Sequence, residues 1–153
     1  MSISLEMKLN GTLRLSDETG KRTSDRFSKL INDNASVFEL YIGVKLFPGP
    51  LNVDVPHPPS LQRNLDAGKP APHIIIPRTK LINMPEYIGD GQAWACQLKG
   101  AKFPESIACW IFRRKDSRVP PGVIEILARE PLRQPYDLKH GDAVTIEVFS
   151  PSK

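Results

Sequence analysis

The chain has 153 residues, which is the length of one domain and enough to form a hydrophobic core. Apolar residues make up 40% and charged residues 25%, as in ordinary globular proteins. The sequence contains no run of about 18 apolar residues, so we do not expect a membrane span. The formal net charge of +4 suits an anionic ligand such as a nucleotide, and would also suit weak nucleic-acid binding.

Alternation of apolar and polar residues predicts a strand at the start of the chain. The apolar side chains from Ile3 to Leu15 fall on odd positions, with Gly11 filling the gap between them. A glycine within a strand indicates a bend or a close approach of another backbone. The segment lacks the basic start and apolar block of a signal peptide, so we expect a cytoplasmic protein.

A polar loop and a helical region are predicted next. The loop runs from Ser16 to Ser24, and a short helix is predicted to begin within Asp25 to Leu30. A second short helix is indicated by apolar residues at i, i+3, i+4 and i+7, namely Val37, Leu40, Tyr41 and Val44. Gly43 is a natural end for that helix.

The segment from Phe47 to Val55 combines a stiff turn with a strand. Two prolines and a glycine restrict the turn, and the valines of the strand alternate with polar residues. Asn52 stands where the turn meets the strand. Because ligands are commonly held by loops at strand ends, this segment is a candidate binding element.

Short strands dominate the rest of the chain. Five more are predicted, at Ile74–Ile76, Trp94–Leu98, Ile107–Phe112, Val123–Leu127 and Val144–Val148. The connections are a proline-rich stretch from Pro56 to Pro72 with one helical turn near Leu61 to Leu65, a helical turn within Glu130 to Tyr136, and a turn at Lys139 to Asp142. Six or seven short strands with 15 prolines in the chain predict a small, mainly β barrel with one or two short helices.

Two groups of residues are candidates for chemistry. Glu125 lies between apolar neighbours, so it is either an outward-facing strand residue or a buried carboxylate that accepts a ligand hydroxyl or acts as a base. A basic cluster, Arg113, Arg114, Lys115 and Arg118, surrounds Asp116 and Ser117 and suits either phosphate binding or a solvated loop.

Other reactive residue types give no second site. Cys96 and Cys109 lack metal-ligand spacing and are expected to be two core thiols of a cytosolic protein, with a disulfide as the alternative. The three histidines are scattered and make no metal cluster. Trp94 and Trp110 are expected in the core rather than on a platform for stacking bases.

Two blocks of the sequence together resemble the CTP-dependent riboflavin kinases. The first, Phe38 to Val53, has the family's helix, glycine and turn, with Gly49-Pro50-Leu51-Asn52 where the family carries Gly-Thr-Leu-Asn. The second, Val123 to Val148, contains Ile-Glu-Ile-Leu-Ala, then Leu-Arg, then Leu-Lys-His-Gly-Asp-Ala-Val in the family's order. The blocks cover little of the chain, but their joint order is specific.

The resemblance implies that residues 1–153 form a single riboflavin-kinase-like cradle-loop barrel. Such an enzyme is a transferase that moves the γ-phosphate of CTP to riboflavin, giving FMN, with magnesium as cofactor. The residues that it implies are Asn52 for magnesium, Ser117 and Glu125 for the flavin, and Gly20, Lys21, Leu132 and Arg133 for the nucleotide. The implied partners are therefore a small flavin and a nucleotide, with no membrane.

Two departures from the family pattern keep alternatives open. Pro50 replaces the magnesium-binding threonine, and the nucleotide loop after the first strand keeps only Gly20 of its glycines. One alternative is an inactive relative that binds a flavin, a nucleotide or another phosphorylated ligand. Another is a basic barrel that binds nucleic acid, which the net charge alone supports and which is not expected, because aromatic residues are not interleaved with the basic ones.

Overall fold

The computed structural model describes residues 4–15, 28–56, 64–65, 67–83, 89–114 and 122–150. Within these ranges the strands are β1 (Leu5–Leu13), β2 (Leu51–Asp54), β3 (Ile74–Ile76), β4 (Gly91–Gly100), β5 (Ile107–Arg114), β6 (Val123–Leu127) and β7 (Ala143–Phe149). The main helical elements are α1 (Ala35–Ile42), residues 28–33 and the 3-10 turn Arg78–Lys80. No described helix has the length and apolarity needed to cross a membrane.

The strands form one antiparallel sheet that closes on itself. Their order is β3-β4-β5-β6-β2-β1-β7, and an additional pairing joins β4 to β7. Strand β4 makes this closure possible because it pairs with β3 through Gly91–Ala93 and with β7 through Cys96–Gly100. Closure leaves six strands in a ring without an open edge, with β3 beside it. The predicted mainly β barrel of six to seven strands is thus confirmed.

The ring encloses the main hydrophobic core. Alternate residues of a barrel strand face inward, and in β1 these are Leu9 and Leu13, which are buried, whereas Leu5 at the start of the strand is exposed. Strands β4 and β7 contribute alternate buried residues in the same way, namely Trp94, Cys96, Leu98, Val144, Ile146 and Val148. The predicted period of two is confirmed in all three strands.

A second, smaller core lies outside the ring, under helix α1. Phe38 of α1 is buried and its ring meets that of Phe112 edge-to-face, with centroids 5.3 Å apart. The helix ends at Gly43, whose φ of 93° is the left-handed conformation predicted for a helix stop. The predicted apolar face is confirmed for Val37, Tyr41 and Val44, which pack against the second core, and is wrong at Leu40, which is 78% exposed while Phe38 is buried in its place.

The two cysteines lie in the barrel core, as predicted. Cys96 and Cys109 are opposite each other in β4 and β5, both are buried, and neither forms a disulfide. Their Sγ atoms are 3.3 Å apart, and the hydrogen bond with Cys96, together with burial, raises the pKa of the Cys109 thiol. Trp94 is fully buried, which also agrees with the sequence prediction.

Three predicted elements differ in detail from the structure. Ile75 of β3 is exposed, because β3 lies at the outer side of β4 and one of its faces is open to solvent. Strand β5 continues to Arg114, so Arg113 is a buried strand residue rather than part of a loop. The helical turn predicted within Glu130 to Tyr136 is limited to one hydrogen bond, from the Tyr136 N–H to the Leu132 carbonyl at 3.3 Å, because Pro135 has no N–H to donate. The loop from Ser16 to Ser24 lies outside the described residues.

Gly11 is the point where β1 and β2 approach most closely. A Cβ atom at Gly11 would overlap the Asp54 carbonyl oxygen and lie 2.8 Å from Cγ1 of Val53. We therefore expect Gly11→Ala to lower the free energy of unfolding by about 3 kcal/mol, because backbone atoms must move to make room. Urea denaturation monitored by tryptophan fluorescence measures the change.

The matched control is another glycine with a different constraint. Gly141 has a φ of 89°, but a Cβ atom there would meet nothing within 4 Å, so only its backbone conformation resists alanine. Gly141→Ala should cost about 1 kcal/mol. Equal losses of stability in the two variants would show that the short distance between Gly11 and β2 is not the reason that glycine is needed at this position.

Candidate functional site

Asn52 and Glu125 lie directly opposite each other on neighbouring strands. Asn52 of β2 pairs with Glu125 of β6, which in turn pairs with Phe112 of β5. Residues opposite each other in antiparallel strands project from the same face of the sheet. Because Leu51 and Val53 belong to the barrel core, Asn52 and Glu125 project outward, on the side that carries the second core.

Glu125 faces out of the barrel and is nevertheless only 6% exposed. Both interpretations from sequence were therefore partly right, since the position is outward with respect to the ring but covered by the second core. Burial raises the pKa of the Glu125 carboxyl to about 7, and the nearby charges of Arg114 and Arg113 oppose that rise. The group is thus able to change its charge near neutral pH.

Asn52 carries an unsatisfied acceptor. The side chain is 6% exposed, and its Oδ1 is buried without a hydrogen-bond partner among the residues that the structure describes. Leaving a buried acceptor unpaired costs about 1–3 kcal/mol, so its presence calls for an explanation. A cation, a water molecule or a ligand donor would satisfy it.

The turn before Asn52 is fixed to the end of β6. The backbone N–H of Phe47 donates to the carbonyl of Ala128 at 2.9 Å. On the other side of Asn52, its own carbonyl accepts a 2.8 Å hydrogen bond from the N–H of Arg14. The turn is therefore held between the ends of β6 and β1, and the position of Asn52 is set by both.

A cavity of about 520 Å³ opens beside this turn. Its wall contains Asn52, Leu132 and Arg133, three of the residues for which the resemblance implies metal or nucleotide binding. Pro50, which stands in the place of the family's threonine, also lines it. The structure therefore brings together the asparagine of the first block and the Leu-Arg pair of the second.

The other assigned residues do not line this cavity within the described structure. Glu125 is the strand partner of Asn52 but is not in the cavity wall. Ser117, Gly20 and Lys21 lie outside the described residues, so their assignment stays a prediction. The cavity wall thus contains the residue assigned to the metal and two of those assigned to the nucleotide, but not Glu125, and the roles of all of them stay predictions.

Two charged residues in the cavity wall were not singled out from sequence. Arg14 comes from the end of β1 and Glu130 from the turn after β6. Arg14 could have been recognised only from the pairing of β1 with β2, which joins Thr12 to Asp54. With Arg133, the wall therefore carries two guanidinium groups and one carboxylate.

The donor atoms at the cavity fit a magnesium ion held mainly by its substrate. Asn52 Oδ1 has no partner within the described residues and Glu130 adds a carboxylate to the wall, whereas Pro50 supplies no side-chain oxygen. The described residues contain no group of three or more His, Cys, Asp or Glu placed to hold a metal. Magnesium commonly keeps several water molecules and binds through one or two protein ligands plus phosphates, which agrees with so small a ligand set.

Comparison with known proteins gives a consistent result. A family model named CTP-dep_RFKase, described as domain of unknown function DUF120, matches residues 19–148. The chain is also similar to a riboflavin kinase of Thermococcus kodakarensis, with 32% identity over 113 residues. That match covers 74% of this chain and 48% of the relative, so the chain spans about half the length of the curated relative.

Proposed function

This chain belongs to the CTP-dependent riboflavin kinase family, and from that premise we propose that it transfers a phosphoryl group from CTP to riboflavin, giving FMN. The observation that carries the proposal is that Asn52, whose Oδ1 is unsatisfied among the described residues, lines the same cavity as Leu132 and Arg133. An oxygen ligand, an apolar contact and a guanidinium in one cavity suit a nucleotide with its metal.

Phosphoryl transfer depends mostly on positioning and on stabilising charge, and the cavity residues suit both tasks. Asn52 would hold magnesium, which when bound neutralises charge on the phosphates. Arg133 would contact the nucleotide as a cation, and Leu132 is buried and would present an apolar surface. The cytidine triphosphate would therefore occupy the cavity beside the turn.

Glu125 is suited to the flavin side of the reaction. As a carboxylate it accepts hydrogen bonds, and a ribityl hydroxyl is a donor of the right kind. A carboxyl with a pKa of about 7 is also matched to accepting a proton near neutral pH. We assign Glu125 to contact with the hydroxyl that is phosphorylated, and Ser117 to the flavin as well.

The proposal is tested by incubating the protein with riboflavin and each nucleoside triphosphate in turn, with and without magnesium. FMN is separated from riboflavin by chromatography and measured by its fluorescence. We expect FMN with CTP and magnesium, and much less with the purine nucleotides. No FMN with any donor would contradict the proposal.

The same samples distinguish the closest alternative. Saturable riboflavin binding without turnover would indicate a relative that has lost catalysis, for which Pro50 in place of a metal-binding threonine offers a physical reason. Quenching of flavin fluorescence on binding measures this directly. In that case Pro50→Thr, which returns a hydroxyl to the cavity wall, is the variant in which to look for restored turnover.

A further inference from the structure

Arg14 is fixed beside the same cavity by two different contacts. Its backbone N–H donates to the Asn52 carbonyl at 2.8 Å, just beyond the end of β1. Its side chain forms an ion pair with Asp54, in which Nε lies 3.2 Å from the carboxylate. Asp54 is two residues after Asn52 on β2, so the strand places both side chains on the same face. Arg14 is therefore positioned by Asn52, which lines the cavity, and by Asp54, which lies two residues further along β2 and outside the cavity wall.

The ion pair leaves most of the guanidinium available. A guanidinium has five N–H donors, and the contact with Asp54 is made at Nε, which carries one of them. The Arg14 side chain is 44% exposed, so a solute in the cavity can reach it. An ion pair with this exposure contributes little to stability, so its main effect is to orient the guanidinium.

The chemistry that such a group recognises is a phosphate or polyphosphate. Arginine binds phosphate oxygens through paired, charge-assisted hydrogen bonds and keeps its charge at every physiological pH. Pro50 has removed one oxygen ligand from the place where a metal would bring positive charge. Arg14 lies in the wall of the same cavity and outside residues 19–148, the part that the family model matches.

We propose that Arg14 is an additional phosphate-binding residue of this chain, and that it holds the polyphosphate of the donor without needing magnesium. The assignment rests on the proposed function for the identity of the donor. The anion site itself does not depend on the proposed function, because the geometry of Arg14, Asp54 and the cavity defines it. The substitution at Pro50 takes away a neutral oxygen ligand and so weakens the hold on a metal ion, and Arg14 supplies positive charge that does not depend on that ion.

Calorimetric titration with inorganic pyrophosphate in the presence of EDTA tests the proposal without any turnover. We expect measurable binding by the wild-type protein, and a Kd increased roughly 10-fold in Arg14→Ala, the size expected for losing a charge-assisted hydrogen bond. Arg14→Lys, which keeps the charge but loses the fork, should fall between them. Melting temperatures of all variants show that the fold is kept.

The matched control is Arg129→Ala. Arg129 is exposed, lies between two residues of the cavity wall and is not itself in that wall, so its loss changes the net charge equally. We expect its effect on the Kd for pyrophosphate to be less than about 2-fold, since exposed charges act weakly through water. Equal effects of the two substitutions, or wild-type binding of pyrophosphate only with magnesium, would overturn the proposal.

A turnover assay separates this inference from the proposed function. If the wild-type protein makes FMN, Arg14→Ala should raise the KM for CTP and the magnesium concentration needed for half-maximal rate. Absence of FMN in the wild-type protein would contradict the proposed function and leave the pyrophosphate result as the test of Arg14. An unchanged KM and magnesium requirement in an active Arg14→Ala protein would contradict the role given to Arg14.

Discussion

Replacing Asn52 with leucine should lower the rate of FMN formation by roughly 100-fold or more, the loss typical of removing one charge-stabilising group from an active site. Leucine has nearly the shape of asparagine but no oxygen, so the variant removes the ligand and keeps the packing. Asn52 Oδ1 has no partner within the described residues, and the cavity beside it has room for a nucleotide. Chromatographic measurement of FMN at saturating CTP and magnesium gives the rate.

The stability of the same variant separates a functional role from a structural one. An unpaired buried acceptor destabilises a fold by about 1–3 kcal/mol, so Asn52→Leu should leave the free energy of unfolding unchanged or raise it. Loss of activity without loss of stability is the behaviour of a residue kept for its chemistry. Urea denaturation measures the free energy of unfolding.

Asn34 provides the matched control for this measurement. It is also buried, but its side chain donates to the carbonyls of Leu30 and Ile82 and accepts from the N–H of Ile82. Asn34→Leu should therefore lower the free energy of unfolding by about 3 kcal/mol, because the N–H and the carbonyl of Ile82 lose this partner and the Leu30 carbonyl keeps only the backbone N–H of residue 34. At a temperature where Asn34→Leu is folded, its rate of FMN formation should be close to that of the wild type. If Asn52→Leu is destabilised like Asn34→Leu and keeps its rate, Asn52 is a structural residue.

The strands that face the barrel core could be predicted because their pattern is local. In β1 and β7 one face meets the core and the other meets solvent, so apolar and polar residues alternate along the chain. The predicted bounds of Val123–Leu127 agree with β6 because β-branched residues and flanking glycine mark both its nature and its limits.

The packing of α1 against the second core could be predicted only in part. The face that α1 buries is decided by Phe112, which lies more than seventy residues away in sequence and meets Phe38 only in the folded chain. Leu40 fits the helical period equally well and is exposed. Periodicity indicates that a helix has an apolar side, but the partner element determines which side is covered.

The site was predicted to the extent that a family signature marks it. Asn52, Leu132 and Arg133 were assigned through separate blocks of the resemblance, and the structure places all three in the wall of one cavity, whereas their roles stay predictions. Arg14 and Glu130 belong to no signature, and only the pairing of β1 with β2 and the turn after β6 bring them to the cavity. Contacts between residues so distant in sequence are set by topology, which single-sequence patterns do not contain.

The environment of Glu125 gives the protein a pH-dependent stability that one substitution should remove. Burial raises the pKa of this carboxyl from its ordinary value of 4.5 to about 7 in the folded protein. Between these two values the folded state binds a proton that the unfolded chain has already lost. The free energy of unfolding therefore falls by roughly 3 kcal/mol as the pH rises through this window. Above the window, the titration of Glu125 changes the free energy of unfolding little.

Glu125→Gln should abolish that dependence, because glutamine resembles the protonated carboxyl and stays neutral. At about pH 4 the two proteins should unfold at similar urea concentrations, and at about pH 8 the variant should be more stable by roughly 3 kcal/mol. Its FMN formation should be low and independent of pH, whereas the wild-type rate should rise through the pKa of about 7 as the carboxylate forms. Glu39→Gln, a substitution of an exposed residue on α1, should keep the wild-type dependence of stability and FMN formation on pH. If Glu125→Gln is stabilised but retains the wild-type rate of FMN formation, the buried charge of Glu125 is not used on the flavin. If the stability of the variant depends on pH in the same way as that of the wild type, the pKa of the Glu125 carboxyl is not raised in the folded protein.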